Sequence, residues 1–272
     1  MQTHSQHCLP ARIHVLGAAQ QPGRALCAAL SALGVEVVAL QEMDATALSR
    51  ATHVVSCLHA SQTAALIAAT PAATTLVLLG STRRYTRWPD AHGKGVIAGE
   101  TAFLQSGRHG VMLHATMFYG AAGENNVQRL AGLMRRLPIL PLPAGGRAML
   151  QPIHAQDVIA CILAALGRSW NGPNLLVIAG PHPVSYAEFT RQIAHAAGMK
   201  PRRVISLPAP LLMLGAAIAR RVPGLPKVDS GEIRRLLEDK DFDIAPMLTA
   251  LGVQPRALEA GLAETFAAGD RL

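Results

Sequence analysis

The chain has 272 residues, half of them hydrophobic and only 15% charged, which is enough apolar material for one sizeable α/β core or for a main domain with a smaller lobe. A net charge of +8 favours an anionic ligand such as a dinucleotide or a nucleotide-sugar, whereas scattered arginines and an aromatic content of 4% argue against a nucleic-acid binder. Cys8, Cys27, Cys57 and Cys161 show no CxxC pairing and three of them sit in apolar runs, so neither a disulfide framework nor a metal site is expected, and a reducing, cytoplasmic location is.

Residues 1–10 are polar, lack the apolar centre of a signal peptide, and read as a flexible terminus. Arg12 to Gly34 is the stretch around which the chain is organised. Ile13, Val15 and Leu16 form a short apolar run that predicts a buried strand, and Gly17 starts a tight turn. Pro22-Gly23 opens a helix with Leu26, Leu30 and Leu33 on one face, and Gly34 stops it. Strand, glycine turn and helix make the first half of a βαβ unit, whose turn points backbone N–H groups at a place where a phosphate can bind.

Further buried strands are predicted over Val35 to Leu40, Thr52 to Leu58, Thr74 to Leu79 and Gly110 to His114, with helical stretches at Ser61 to Thr70 and Val96 to Ser106. Nearly all-apolar strands alternating with helices indicate a parallel sheet covered on both faces. After His114 the texture changes. Asn125 to Arg136 reads as a helix, Pro138 to Pro143 as extended chain, Gln156 to Leu166 as a strongly amphipathic helix and Asn174 to Ile178 as another strand. Ser185-Tyr186-Ala187-Glu188 is a capping box. Leu207 to Ala219 is the longest apolar stretch, but it falls short of the roughly 20 residues that a membrane span needs, and Pro208 and Pro210 interrupt its start. The expected organisation is a main domain over 11–180 and a small, mostly helical lobe over 181–272, with 117–155 contributing to the lobe.

Four segments, VLGAAQQPGRAL at 15–26, LLGSTRRY at 78–85, LHATMFYG at 113–120 and QPIHAQDVIACILAAL at 151–166, occur in an order that resembles the short-chain dehydrogenase/reductase superfamily. The resemblance is closer to its atypical and extended members, the NAD-dependent epimerase/dehydratase group related to nucleoside-diphosphate-sugar epimerases. A weaker echo is LLEDKDFDIAPMLTALGVQPR at 236–256. The resemblance implies a Rossmann-like, doubly wound α/β fold with a small C-terminal lobe. It also implies an NAD or NADP cofactor and epimerase, dehydratase or oxidoreductase chemistry on a carbonyl or hydroxyl of a small substrate, nucleotide-sugars included. It places the cofactor on Gly17, Ala18, Ala19, Gln21, Gly23, Glu42 and His59 and the substrate-orienting hydroxyl on Ser81, and it leaves Tyr85, His92 or Lys94 as the local candidates for proton transfer in catalysis.

The sequence also departs from that pattern. Gln20 stands where the middle glycine of the phosphate turn is expected, and Pro22 removes an N–H donor. A lost charge-assisted hydrogen bond is worth about 1.5–3 kcal/mol, so dinucleotide binding is expected to be weakened or reshaped. The YxxxK pair of the superfamily is missing, because none of Tyr85, Tyr119 and Tyr186 is followed four residues later by lysine. Counting back from Glu100 as the family's KxxxE puts Val96 in the lysine slot and His92 in the tyrosine slot, while His92 by itself reads as a solvated residue in a glycine-flanked loop. Glu42 or Asp44 after the second strand can hold a ribose and favour NAD, although an acidic residue there also suits a helix cap. Arg129 and Arg147 are candidates for meeting an anion, and the resemblance makes His154 and Asp157 structural, the aspartate capping or supporting the helix that begins near Gln156. Two functional classes therefore stand side by side: a dinucleotide-dependent enzyme, and a non-catalytic cofactor sensor or assembly protein that has kept the shell.

Overall fold

A computed structural model of the protein describes residues 9–120, 126–219 and 230–269. The first half runs β1 (Arg12–Leu16), α1 (Gly23–Ala32), β2 (Glu36–Leu40), α2 (Ala45–Leu48), β3 (His53–Ser56), α3 (Thr63–Ala69), β4 (Thr75–Ser81), α4 (Ala91–Ser106) and β5 (Gly110–Ala115). It continues through β6 (Phe118–Tyr119), α5 (Asn126–Arg136), β7 (Ile139–Pro143), β8 (Met149–Leu150), β9 (Ile153–His154), α6 (Ala155–Leu166) and β10 (Pro173–Ile178). The last part comprises β11 (Val184–Ser185), α7 (Tyr186–Ala196), β12 (Arg203–Leu207), α8 (Ala209–Ala219), α9 (Ser230–Arg235), α10 (Ala245–Leu251) and α11 (Leu258–Gly269).

Six strands form one parallel sheet in the order β10-β5-β4-β3-β1-β2. Alternate side chains feed two apolar layers. Ile13, Val15, Val55, Val77, Val111 and Leu113 pack with α1 and α6 on one face. Leu16, Val54, Leu76, Leu78 and Met112 pack with Leu48, Leu66 and Phe103 on the other. A strand that feeds both faces has no polar alternation, which is why these segments read as continuous apolar runs. The edge strands β2 and β10 are only partly buried. The chain moves outward from β1 to β2 and then returns to place β3 on the other side of β1, so the strand order reverses between β1 and β3. Crevices at such a reversal are where open α/β sheets bind ligands.

The predicted strands and helices are all found, with shifted ends. The largest shift is in α4, which begins at Ala91, five residues before the predicted Val96. Asp90 caps it by accepting the Gly93 N–H at 2.8 Å. Gly93, Gly95 and Gly99 are poor helix formers in isolation, but each packs closely on a neighbour. A Cβ at Gly95 would meet the His59 ring, and one at Gly99 would run into the Ala60 carbonyl. Tertiary contact overrides propensity here.

A second apolar core draws on two stretches of chain. Val127, Ala131 and Met134 of α5 and Leu140 and Leu142 of β7 share a core with Phe189 and Ile193 of α7 and Leu262 of α11. Strand β12 pairs in parallel with β7. Helix α10 leaves the lobe and returns Met247 and Leu251 to the core of the main sheet. Leu211 and Leu214 of α8 are exposed, and no helix among the described residues is long and apolar enough to cross a membrane.

The cap of α6 differs from the expected one. Its N-cap is His154, whose Nδ1 accepts the Gln156 N–H at 3.3 Å. Asp157 does not cap this helix; its carboxylate accepts the backbone N–H and the Nε of Arg256, both at 3.0 Å. The Ser185 half of the predicted capping box is formed with the Glu188 N–H at 3.1 Å, while the Glu188 carboxylate meets Gln192 and Arg191 instead.

Candidate functional site

The crevice at the strand reversal begins with the glycine turn. Gly17 has φ +75°, a left-handed conformation that L side chains rarely adopt, and a Cβ at Gly23 would run into the Gly17 carbonyl. The two glycines therefore do what the turn needs: one makes the bend and the other lets α1 approach β1. Gln20 is exposed on the turn, with its N–H donating to the Gly17 carbonyl at 3.2 Å, so its side chain does not fill the crevice. Pro22 is the buried N-cap of α1 and, with Gln21, forms one wall. Several loop donors are already engaged. The Ala18 N–H binds the Leu40 carbonyl at 3.1 Å and the Arg24 N–H binds the Gln20 carbonyl at 2.8 Å. Among the described residues the N–H groups of Ala19, Gln21 and Gly23 meet no backbone carbonyl in the loop, and the Arg24 guanidinium is tethered beside them by the Ala19 carbonyl at 3.0 Å.

The cleft above this turn has a volume of about 250 Å³ and is bounded by the C-terminal ends of β3, β4 and β5. Ser81, at the end of β4, lines it. The Ser81 hydroxyl oxygen accepts the Arg83 N–H at 3.2 Å, which leaves its own hydrogen free to donate. Thr116 also lines the cleft, but its hydroxyl is committed to the Gln151 carbonyl at 2.6 Å.

Tyr85 and Lys94 do not line this cleft. Tyr85 is half exposed and packs against Phe242, with ring centroids 5.6 Å apart, beneath the Arg84 guanidinium. It faces a smaller pocket, of about 60 Å³, shared with Arg235 and Lys240. Lys94 is exposed on α4. What α4 turns into the cleft is His92 and, one turn later, Val96. His92 was expected in a solvated loop. It is instead half-buried within the first turn of α4, because the Asp90 cap starts the helix before it.

His92 meets a second imidazole. The ring of His59 lies 4.4 Å from it between centroids, at 73°. The His59 Nδ1 accepts the Ser61 N–H at 3.2 Å, which puts the proton of the neutral ring on Nε2, and that atom is buried without a protein partner among the described residues. Burial, then the charges of Arg83, His59 and Arg235, hold His92 below the ordinary histidine value, with Asp90 opposing. Cys57, in the same cleft, is pushed up to about 12 by burial and stays a thiol.

Behind the cleft, Glu100 is buried with its carboxylate 2.7 Å from the Arg84 guanidinium and 2.9 Å from the His114 Nε2. Arg84 already balances the Glu100 charge, and burial holds His114 down at about 4, so this imidazole is neutral. Glu238, from the segment after α9, accepts the Thr86 hydroxyl at 2.7 Å and the Arg87 N–H at 2.6 Å, tying the lobe to the β4–α4 connection. None of Glu238, Arg256 and the His59–His92 contact was legible as a motif. The four-residue spacing of His92 and Val96, counted from Glu100, was the one signal available.

Of the remaining candidates, Asp44 is spent as the cap of α2, accepting from Thr46 and Ala47, which leaves Glu42 as the exposed carboxylate beyond β2. Arg129 pairs with Glu232 at 3.3 Å and Arg147 is exposed before β8; neither lines the cleft.

No protein-family model matches the sequence, and no curated protein matches it. The fold, by contrast, is shared with solved structures over almost the whole chain. MoeE5 in complex with UDP-glucose and NAD superposes with a TM-score of 0.72 at 19% identity, covering 96% of this chain and 99% of that one. An NAD-dependent NDP-hexosamine 5,6-dehydratase, TunA, gives 0.71 at 14%, covering 96% and 98%. UDP-glucuronic acid 4-epimerase from Bacillus cereus, in complex with UDP-glucuronic acid and NAD, gives 0.69 at 17%, covering 96% and 99%. At such identities the likeness is one of fold.

Proposed function

We propose that this protein binds a nicotinamide dinucleotide in the cleft above Gly17 and is an epimerase/dehydratase-like oxidoreductase or isomerase. Its substrate is a small carbonyl or hydroxyl compound of anionic, nucleotide-linked type. The observation that carries the reading is the open crevice at the strand reversal. The glycine pair shapes its floor, the Gln20 side chain stays outside, and Ser81, with a hydroxyl hydrogen free to donate, lines it together with His59 and His92. The likeness to MoeE5 and to the 4-epimerase, with their NAD and sugar-nucleotide ligands, supports it.

In this reading the N–H groups of Ala19, Gln21 and Gly23, with Arg24, hold the pyrophosphate, and Glu42 holds the adenosine ribose and favours NAD. A bound nicotinamide supplies or accepts a hydride. Ser81 donates its hydrogen to the substrate oxygen and fixes its position. The lobe built from 117–155 and 181–272 covers the substrate side, and the cationic groups Arg83, Arg235 and Lys240 beside it suit an anionic substrate. Free thiols at Cys27, Cys57 and Cys161 fit a reducing, cytoplasmic setting.

Isothermal titration with NADH tests the reading. Because Pro22 and the engaged loop N–H groups cost donors, binding about ten- to a hundredfold weaker than a micromolar reference is expected. Heats indistinguishable from buffer at millimolar NADH would overturn it.

A further inference from the structure

The geometry points to His92 as the side chain that exchanges a proton with the substrate oxygen in the cleft, with His59 as its positioning residue. This rests on the proposed cofactor binding. Among the described residues lining the cleft, only Cys57, His59 and His92 can titrate at all, and the Cys57 thiol is out of range at about 12. The hydroxyl of Ser81 can donate but cannot hold a charge. Proton traffic near neutrality is therefore left to the two imidazoles.

Between them, His59 is the fixed one. Its Nδ1 is engaged by Ser61, and its ring sits in the space that Gly95 leaves by having no side chain. His92 lies at the start of α4, with its ring T-shaped against that of His59, and lines the same cleft as Ser81. The groups facing it are Arg83 from the β4–α4 connection, Asp90 at the helix cap, His59 from the β3–α3 connection and Arg235 from α9. Val96, one turn on, is apolar, so no lysine stands there to acidify a phenol. An imidazole needs no such help, since it titrates close to neutral pH unaided.

In the reducing direction a bound reduced nicotinamide would supply the hydride to the carbonyl carbon and be left oxidised, while the His92 imidazolium would give its ring proton to the carbonyl oxygen and be left neutral, so that the C=O π bond would be replaced by C–H and O–H bonds. Ser81 hydrogen-bonds the oxygen throughout.

The test reads the titration of His92 directly, in full-length protein carrying ¹³C-labelled histidine, with the resonance assigned by its loss in His92→Gln. It is followed in the free protein, with NAD⁺ and with NADH. The oxidised ring carries a positive charge and the reduced ring does not, so NAD⁺ lowers the His92 titration further and NADH leaves it in place. By linkage, NAD⁺ affinity falls about fivefold from about pH 8 to about pH 5 while NADH affinity changes by less than about twofold, and His92→Gln loses that difference. His59→Gln moves the His92 titration back toward its ordinary value. Should both dinucleotides bind without moving the His92 resonance, or should His92→Gln keep the NAD⁺ pH dependence, His92 is excluded and the cofactor reading stands. Should neither bind at millimolar concentration, the cofactor reading falls and this inference with it.

Discussion

The carboxylate of Asp157 receives both the backbone N–H and the Nε of Arg256, two contacts of 3.0 Å across 99 residues of chain. Asp157 is nearly buried at the start of α6, and Arg256 lies in the segment between α10 and α11. Asp157→Asn leaves the guanidinium with only the exposed Glu264 as charge partner and is expected to cost about 2–3 kcal/mol, a fall in Tm of about 5–10 °C by calorimetry. Glu264, the other partner of Arg256, is more than half exposed, and Glu264→Gln is expected to cost under about 1 kcal/mol.

Two glycine substitutions should have opposite signs. Gly23→Ala forces a methyl into the Gly17 carbonyl and is expected to cost about 2–3 kcal/mol in urea unfolding, with loss of NADH binding. Gly132 lies inside α5 with no heavy atom within 4 Å of a Cβ placed there, so Gly132→Ala is expected to stabilise by about 0.5–1 kcal/mol.

His114 gives the protein an acid-sensitive limb. Held at about 4 in the folded state against 6.5 unfolded, it leaves the unfolded chain binding more protons between those values. Its contribution is complete above about pH 6.5 and drains away as pH falls to about 4, a loss of about 3 kcal/mol. Glu100, raised by burial, slopes the other way above its ordinary range and offsets part of this. Urea unfolding of His114→Gln across this interval is expected to show a flatter pH dependence than the parent.

Glu238→Ala removes the acceptor for Thr86 and Arg87. Hydrogen exchange at residues 82–88 is expected to accelerate by about tenfold or more, with overall stability reduced by about 2–3 kcal/mol. Because this segment follows Ser81 and leads into the Asp90 cap, the same variant should also broaden the His92 resonance.

The position of Glu42 predicts a preference for NADH over NADPH of about tenfold, read from the two dissociation constants, since a carboxylate beside the ribose repels a 2′-phosphate. Glu42→Gln is expected to bring the two constants within about threefold of one another.

The sheet was readable because its strands are buried on two faces. Gly110 to Ala115 is wholly buried, and an apolar run broken only by His114 suits a strand covered on both sides. The glycine turn was readable for a similar local reason: bend and close approach each demand glycine at a fixed place. Apolar periodicity alone starts α4 at Val96, because GKG looks like a loop until the neighbours that fill the missing side chains are known, whereas the family resemblance starts the helix near Asp90 to Lys94, where it is found. The same gap hid His92, whose direction depends on a cap at Asp90 and a ring at His59. Asp157 is structural as expected, but between capping and supporting the helix the sequence offers no choice, because a carboxylate in the first turn fits a cap by position and its actual partner lies 99 residues further on.

Helix α10 has a bearing on how the molecule is made. Its Met247 and Leu251 seal apolar surface on β10 and α6, yet they are synthesised after every strand of the sheet. A nascent chain halted before residue 245 therefore carries a finished strand order with an uncovered greasy flank, the kind of species that chaperones hold and that aggregates when they do not. Emergence of α10, rather than completion of the sheet, is the moment at which the layer against β10 and α6 becomes watertight.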